Sequence, residues 1–157
     1  YNAMSRSEYG EIVFNNHLLK VRETIIWDKT TGMNISGNRI YSRAAEFVFL
    51  LSKEPKYRSN QNGGVYWNVW RIGSRDNDNM KNGHGASFPV ALPCRGMEQH
   101  SQPDDIVLDP FLGSGTTLIA CEQLNRQCYG MEIDPLYCDV IVKRWENLTG
   151  EKAVCNG

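Results

Sequence analysis

The stretch "DIVLDPFLGSGTT", Asp105 to Thr117, decides how this chain is read. An apolar, extended-leaning run from Ile106 to Leu108 meets Asp109-Pro110, and a Gly113-Ser114-Gly115 turn then leads directly into Thr116-Thr117 and a helical pattern. A strand that ends in a glycine turn and reopens as a helix presents backbone N–H groups and a helix N-terminus. That arrangement suits negative or polar ligand groups. The stretch therefore reads as a small-molecule site.

The same grammar continues downstream. "IVLDPF" reads as a buried strand, Thr116 to about Asn125 as a helix, and "CYGMEI" as the next strand. Asp134 is an N-cap with Pro135 at the first helical position. Tyr137, Ile141, Trp145 and Leu148 then recur at helical spacing, and Gly150 closes the helix. Strand, helix, strand, helix predicts an α/β fold with a parallel, doubly wound, Rossmann-like sheet and its ligand at the carboxyl ends of the strands.

Upstream, "ETIIWDK" (Glu23 to Lys29) and "AEFVFLLSK" (Ala45 to Lys53) are short runs rich in β-branched and aromatic residues, expected to pair antiparallel. "VYWNVWRI" is a third strand candidate. "SNQNGG" (Ser59 to Gly64) is a loop by composition, and "GSRDNDNMKNGHG" (Gly73 to Gly85), polar and glycine-containing, is the best candidate for a mobile loop.

At 157 residues, 41% hydrophobic and 22% charged, the chain suits one domain, expected over residues 4–157. Tyr1-Asn2-Ala3 ahead of Met4 reads as a leftover from an expression tag. No apolar run approaches the roughly 20 residues needed to cross a bilayer, and the N-terminus has no signal-peptide pattern, so a cytoplasmic protein is expected. The five cysteines (Cys94, Cys121, Cys128, Cys138, Cys155) form no CxxC pair, which suits reduced thiols and implies no metal.

Net charge is −1, unevenly spread. Tyr1 to His100 carries thirteen Lys or Arg against nine Asp or Glu, and Ser101 to Gly157 carries four against nine. A basic part that faces a polyanion, joined to a part that holds a cofactor, fits this asymmetry; ordinary solvated surface charge fits it too.

Which ligand suits the turn follows from what is absent. A nucleotide triphosphatase loop needs a Lys after its last Gly, and here Thr116 and Thr117 follow Gly115. A dinucleotide fingerprint needs a third Gly where this chain has Leu118. An acidic residue does end the next strand: Glu132, twenty-three positions after Asp109, where a carboxylate accepts hydrogen bonds from ribose hydroxyls. An adenosine-type ribose without a pyrophosphate cradle is the expectation.

"DPFLGSGTT" followed by "YGMEIDPLYCDVIVKRW" resembles the S-adenosylmethionine motif and the acidic-strand motif of the amino-directed DNA methyltransferases, which modify adenine N6 or cytosine N4. "HGASFPVALP" (His84 to Pro93) resembles the methionine-contacting segment of the subgroup in which the catalytic motif comes first, then target recognition, then the cofactor motif. "IIWDK" and "AEFVFLLSK" resemble the two strands between its catalytic motif and recognition region. The resemblance covers nearly the whole chain.

It implies that Asp109 and the turn Gly113, Ser114, Gly115 border the methionine part of S-adenosylmethionine, with the Ser114 and Thr117 hydroxyls near its charged end. Phe111 would pack near the cofactor, Glu132 would hold the ribose, and Phe88 with Pro89 would close the other side. The bland alternative for Phe88 and Phe111 is plain core. His84, in a polar loop, acquires no role. Double-stranded DNA is the implied partner, faced by Arg39, Arg43, Lys56, Arg58, Arg71 and Arg75, with residues 59–83 as the DNA-facing loop region. The implied function is site-specific methyl transfer to an exocyclic amino group, adenine N6 first and cytosine N4 second, in a prokaryotic or phage-encoded protein.

One departure stands out. The family's catalytic tetrapeptide is Asp, Asn or Ser, then Pro-Pro and an aromatic, and this chain contains no Pro-Pro. Asp109-Pro110-Phe111 and Asp134-Pro135-Leu136 already belong to the cofactor side. Pro93-Cys94 precedes the cofactor motif, the wrong order for a cytosine carbon-5 enzyme. In the subgroup's order the tetrapeptide would lie ahead of Tyr1. No catalytic residue is therefore assigned, the sheet is expected to lack its catalytic strand, and its open edge invites self-association. The competing readings are a non-catalytic cofactor-binding or interaction remnant and a nicotinamide-dependent oxidoreductase.

Overall fold

The computed structural model describes residues 18–33, 43–53, 67–74 and 88–156. The chain divides into two compact units, Tyr1–Arg71 and Ile72–Gly157.

The first unit is built on a three-stranded sheet of order β2-β1-β3, where β1 is Lys20–Met33, β2 is Arg43–Ser52 and β3 is Val69–Arg71. β1 and β2 pair antiparallel, as expected, with Ile25 opposite Val48 and Trp27 opposite Glu46. β3 runs parallel to β1 on its other edge and sets Trp70 opposite Trp27. Period-two alternation puts Ile25, Trp27 and Trp70 on a buried face. On the other side Phe47 is exposed and stacks on Phe49. The Lys29 ammonium bonds Glu46 and lies 5.1 Å from the centre of the Trp27 ring.

The second unit contains helix α1 (Ala91–His100), strand β4 (Ile106–Asp109), helix α2 (Thr116–Gln123), strand β5 (Gln127–Gly130) and helix α3 (Pro135–Thr149). β4 and β5 pair parallel, Leu108 opposite Tyr129, with α2 as the crossover between them. Helix α2 is the core element. It packs against α1, β5 and α3, and five of its eight residues, Thr116, Thr117, Ile119, Ala120 and Cys121, are buried. Ala120 and Cys121 lose all solvent contact and form the core with Met97; Val90, Cys94, Val107, Leu124 and Cys128 pack around them. Burial pushes the Cys121 thiol up to about 12, with Cys128 adding to the rise, so this sulfur behaves as a small hydrophobe rather than a nucleophile.

Helix ends follow the sequence. α2 stops at a left-handed Asn125 (φ 55°), where the Arg126 N–H returns to the Cys121 carbonyl at 2.9 Å in a Schellman arrangement. The Arg126 guanidinium then ties this end to α1 through the Ser101 hydroxyl at 3.1 Å and the Ser101 carbonyl at 2.9 Å. In α3, Asp134 Oδ1 accepts the Leu136 N–H at 2.9 Å, Pro135 occupies the first turn and Gly150 (φ 76°) ends the helix.

One expectation needs correction, and one element was not expected. β4 is a strand but not a buried one: Ile106 and Leu108 are 68% and 66% exposed, while Val107 packs into the core. Among the described residues, helices cover one face of the β4–β5 pair and leave the other bare. Helix α1, which carries the "LPCRG" run, has no counterpart among the elements expected from the sequence. Pro93 sits in the first turn, where its missing N–H has no intrahelical partner to lose, and a Cβ on Gly96 would meet nothing within 4 Å. Of the four residues at helical spacing in α3, only Ile141 is fully buried, and Leu148 is exposed.

Candidate cofactor-binding site

The carboxyl end of β4, the turn after it and the carboxyl end of β5 are stitched into one small frame. The Met131 N–H donates to the Asp109 carbonyl at 3.0 Å, and the Leu112 N–H donates to the Met131 carbonyl at 2.9 Å. Asp109 Oδ1 accepts the Phe111 N–H at 2.9 Å, a local turn of the kind Asp favours before an irregular segment. The frame is close-packed: a Cβ on Gly130 would fall 2.5 Å from Leu112 Cδ2. Gly115 is left-handed at φ 83°, and its N–H closes the turn onto the Leu112 carbonyl at 2.9 Å. α2 opens at once, so the first helical N–H groups, which have no partner inside a helix, are presented beside the turn.

Glu132 joins the two motifs. Its Oε2 accepts the Gly113 N–H at 2.7 Å, while Oε1 accepts the N–H groups of Ile133 and Asp134 at 2.9 Å each. Sequence reasoning gave this carboxylate a ligand to hold. The structure also gives it three backbone donors, and so a part in holding the turn.

The other expected site residues fall around this frame. Ser114 and Thr117 are buried, at 5% and 8% exposure, and Asp109 and Gly113 are half-buried. Phe111 is 88% exposed, so the plain-core alternative fails for it. Phe88 is half-buried and Pro89 buried at the entrance to α1, the helix that packs on α2.

Of the basic residues, Arg71 is exposed, with Nε 3.5 Å from Asp28 Oδ2. Arg43 opens β2, and its side chain is not described. Arg39, Lys56, Arg58, Arg75 and His84 lie outside the described residues, as does most of the 59–83 region.

Sequence reasoning missed Arg144. From α3 its Nη1 donates to the Ser114 carbonyl at 2.6 Å and approaches the Ser114 and Thr116 hydroxyls at 3.2 and 3.4 Å. A signal existed. Arg144 lies three residues after Ile141, on the same helix face, and Ile141 Cγ1 is the atom nearest to a Cβ placed on Gly115, at 3.1 Å.

A family model described as DNA methylase, N6_N4_Mtase, matches residues 3–143. This chain belongs to that family. Among individual relatives, the type II methyltransferase M.Cfr9I of Citrobacter freundii is 35% identical over 136 residues, covering 79% of this chain and 44% of the relative. M.SmaI of Serratia marcescens is 31% identical over 139 residues, covering 79% and 46%. The chain thus spans about half the length of the curated relatives it matches. The crystal structure of the M1.HpyAVI–SAM complex superposes with a TM-score of 0.73 at 28% identity, over 90% of this chain and 71% of that one. PvuII DNA methyltransferase, named cytosine-N4-specific, gives 0.66 at 25% identity, over 78% and 50%. The small sheets and their helices thus share the Rossmann-like fold of the DNA methyltransferases. No helix among the described residues is long and apolar enough to cross a membrane.

Proposed function

We propose that this chain is the S-adenosylmethionine-binding part of an amino-directed DNA methyltransferase, a single methyltransferase domain over residues 4–157. The observation that carries the reading is the hydrogen bond from the Gly113 N–H to Glu132, which unites the glycine motif and the acidic motif in one frame. A structural neighbour solved with S-adenosylmethionine supports the choice of ligand. The residues present fit it. Glu132, fixed by its backbone donors, holds the ribose, and Asp109 with the turn Gly113, Ser114 and Gly115 borders the methionine part. Thr117 lies at the start of α2, exposed Phe111 offers a ring surface to the cofactor, and Phe88 with Pro89 closes the far side. When bound, the cofactor supplies a sulfonium methyl group for transfer to an exocyclic amino group of DNA.

The acceptor is adenine N6 or cytosine N4. Sequence resemblance puts adenine first, and the name of the PvuII neighbour favours cytosine as the second reading. Nucleoside analysis of DNA methylated by the full-length protein separates the two. Arg39, Arg43, Lys56, Arg58, Arg71 and Arg75 supply phosphate contacts. Each one removed reduces the salt dependence of DNA binding by about one unit of the log–log slope.

The test is a melting comparison. A ligand that binds only the folded state stabilises it, by about 2.7 kcal/mol at one hundred times its dissociation constant. S-adenosylhomocysteine is expected to raise the melting temperature of this chain and NAD to leave it unchanged. The reverse result supports the oxidoreductase reading.

The bare face of β4–β5 leads to a second expectation. Ile106, Leu108, Tyr129 and Met131 are exposed, and β4 pairs only with β5 among the described residues. An apolar sheet face with an unpaired edge invites another strand. We therefore expect this chain by itself to self-associate and, carrying no Pro-Pro-aromatic tetrapeptide, to transfer no methyl group to DNA. Light scattering over a concentration series and a tritiated-methyl assay check both; a clean monomer contradicts the first, and robust labelling the second.

A further inference from the structure

The Ser114–Gly115 peptide is fixed at both ends. Its carbonyl accepts from Arg144 Nη1 at 2.6 Å, and its N–H donates to the Leu112 carbonyl at 2.9 Å. Two peptides earlier in the same turn, the Leu112–Gly113 N–H is held by Glu132. Glu132 and Arg144 therefore grip the same turn, a carboxylate on one of its N–H groups and a guanidinium on one of its carbonyls. Rotating either peptide would break a charge-assisted hydrogen bond, the strong class of such bonds.

Arg144 brings a second property. Among the described residues it makes no ion pair, and its hydrogen bonds there are all to neutral oxygens. Its Nη2 is buried and has no hydrogen-bond partner among the described residues. The guanidinium is thus a half-buried positive charge, not neutralised by any described carboxylate, set against the turn where α2 begins. A helix N-terminus and an adjacent cation reinforce one another toward a negative group.

We propose that Arg144 is a positioning residue for the amino-acid end of the cofactor. It orients the Ser114–Gly115 peptide and supplies the positive charge that the methionine carboxylate meets, leaving the nucleoside end to Glu132. The inference rests on the proposed S-adenosylmethionine site and divides that site in two. An anionic tail depends on Arg144, and a ribose does not.

Calorimetry with S-adenosylhomocysteine and 5′-methylthioadenosine tests the division, because the second keeps the nucleoside and lacks the amino-acid tail. Arg144→Met is expected to weaken S-adenosylhomocysteine about tenfold or more, the scale of a partly buried charge near a helix end, and 5′-methylthioadenosine by no more than about twofold. Arg144→Lys, which keeps the charge and one donor, recovers part of the loss. Equal weakening of both ligands, or no recovery by Lys, shows a merely structural role and overturns the proposal.

Should Arg144→Met not fold, the wild-type chain still decides. The ¹⁵N guanidinium signal of Arg144 shifts on adding S-adenosylhomocysteine and stays put with 5′-methylthioadenosine; a shift with both or with neither overturns the proposal. If the wild-type chain binds neither ligand, the cofactor reading itself fails. Binding of both with no discrimination at Arg144 sinks only this inference.

Discussion

Replacing Glu132 with Ala raises the dissociation constant for S-adenosylhomocysteine about 100-fold or more, the largest binding effect expected in the chain. Two losses combine. The ribose hydroxyls lose a charged acceptor, and hydrogen bonds to charged groups contribute about 1.5–3 kcal/mol each. The N–H groups of Gly113, Ile133 and Asp134 also lose the oxygen atoms that hold them at 2.7 to 2.9 Å, so the turn must be reordered each time ligand binds. Glu132→Gln separates the parts poorly but informatively. Its amide keeps the shape but replaces one acceptor oxygen with a donor that faces backbone N–H groups on either side, and an effect nearly as large as that of Ala is expected. Titration calorimetry on both variants measures it. Binding within about twofold of wild type would show that the carboxylate neither holds ribose nor fixes the turn.

The largest stability effect belongs to Gly115→Ala. At φ 83° a side chain costs about 1–2 kcal/mol of backbone strain. The added Cβ also meets Ile141 at 3.1 Å to Cγ1 and 3.3 Å to Cγ2, tighter than ordinary van der Waals contact, so the Ile141 side chain or α3 must give by a few tenths of an ångström. Overpacking of this kind adds about 1–3 kcal/mol, so a loss of roughly 2–5 kcal/mol and a melting temperature lower by on the order of 10 °C are expected. Gly150→Ala is the control. Its φ is 76°, yet its Cβ would meet nothing within 4 Å, so only the strain remains. Thermal denaturation of the two variants side by side isolates the Ile141 contact. Equal destabilisation would mean that the packing of α3 on the turn contributes nothing.

The glycine turn and the capped final helix were legible because their signals are local. Asp134, Pro135 and Gly150 each act within one helical turn, and the left-handed Gly115 is dictated by the backbone itself. The antiparallel pairing of β1 with β2 was legible from two β-branched runs for the same reason.

What was missed depends on tertiary context. Helix α1 drew no expectation because Pro93 and Gly96 interrupt its pattern; yet Pro is harmless in a first helical turn, and α1 is stabilised by Met97 and Cys94 packing on α2. β4 read as buried because "IVLD" is apolar on both faces, the pattern of a strand covered on both sides. Among the described residues only the Val107 face is covered. Glu132 was found as a carboxylate at a plausible spacing, but its grip on Gly113 spans nineteen residues and carries no sequence signature. Arg144 was invisible for the same reason, thirty residues from Ser114.

The central claim is that the frame of Asp109, the Gly113–Gly115 turn and Glu132 holds an adenosyl amino acid. Titration calorimetry of the wild-type chain with S-adenosylhomocysteine, and with NAD in parallel, tests it most directly. Saturable one-to-one binding of S-adenosylhomocysteine with no heat from NAD is the predicted result. Binding of NAD, with none of S-adenosylhomocysteine or S-adenosylmethionine, would contradict it.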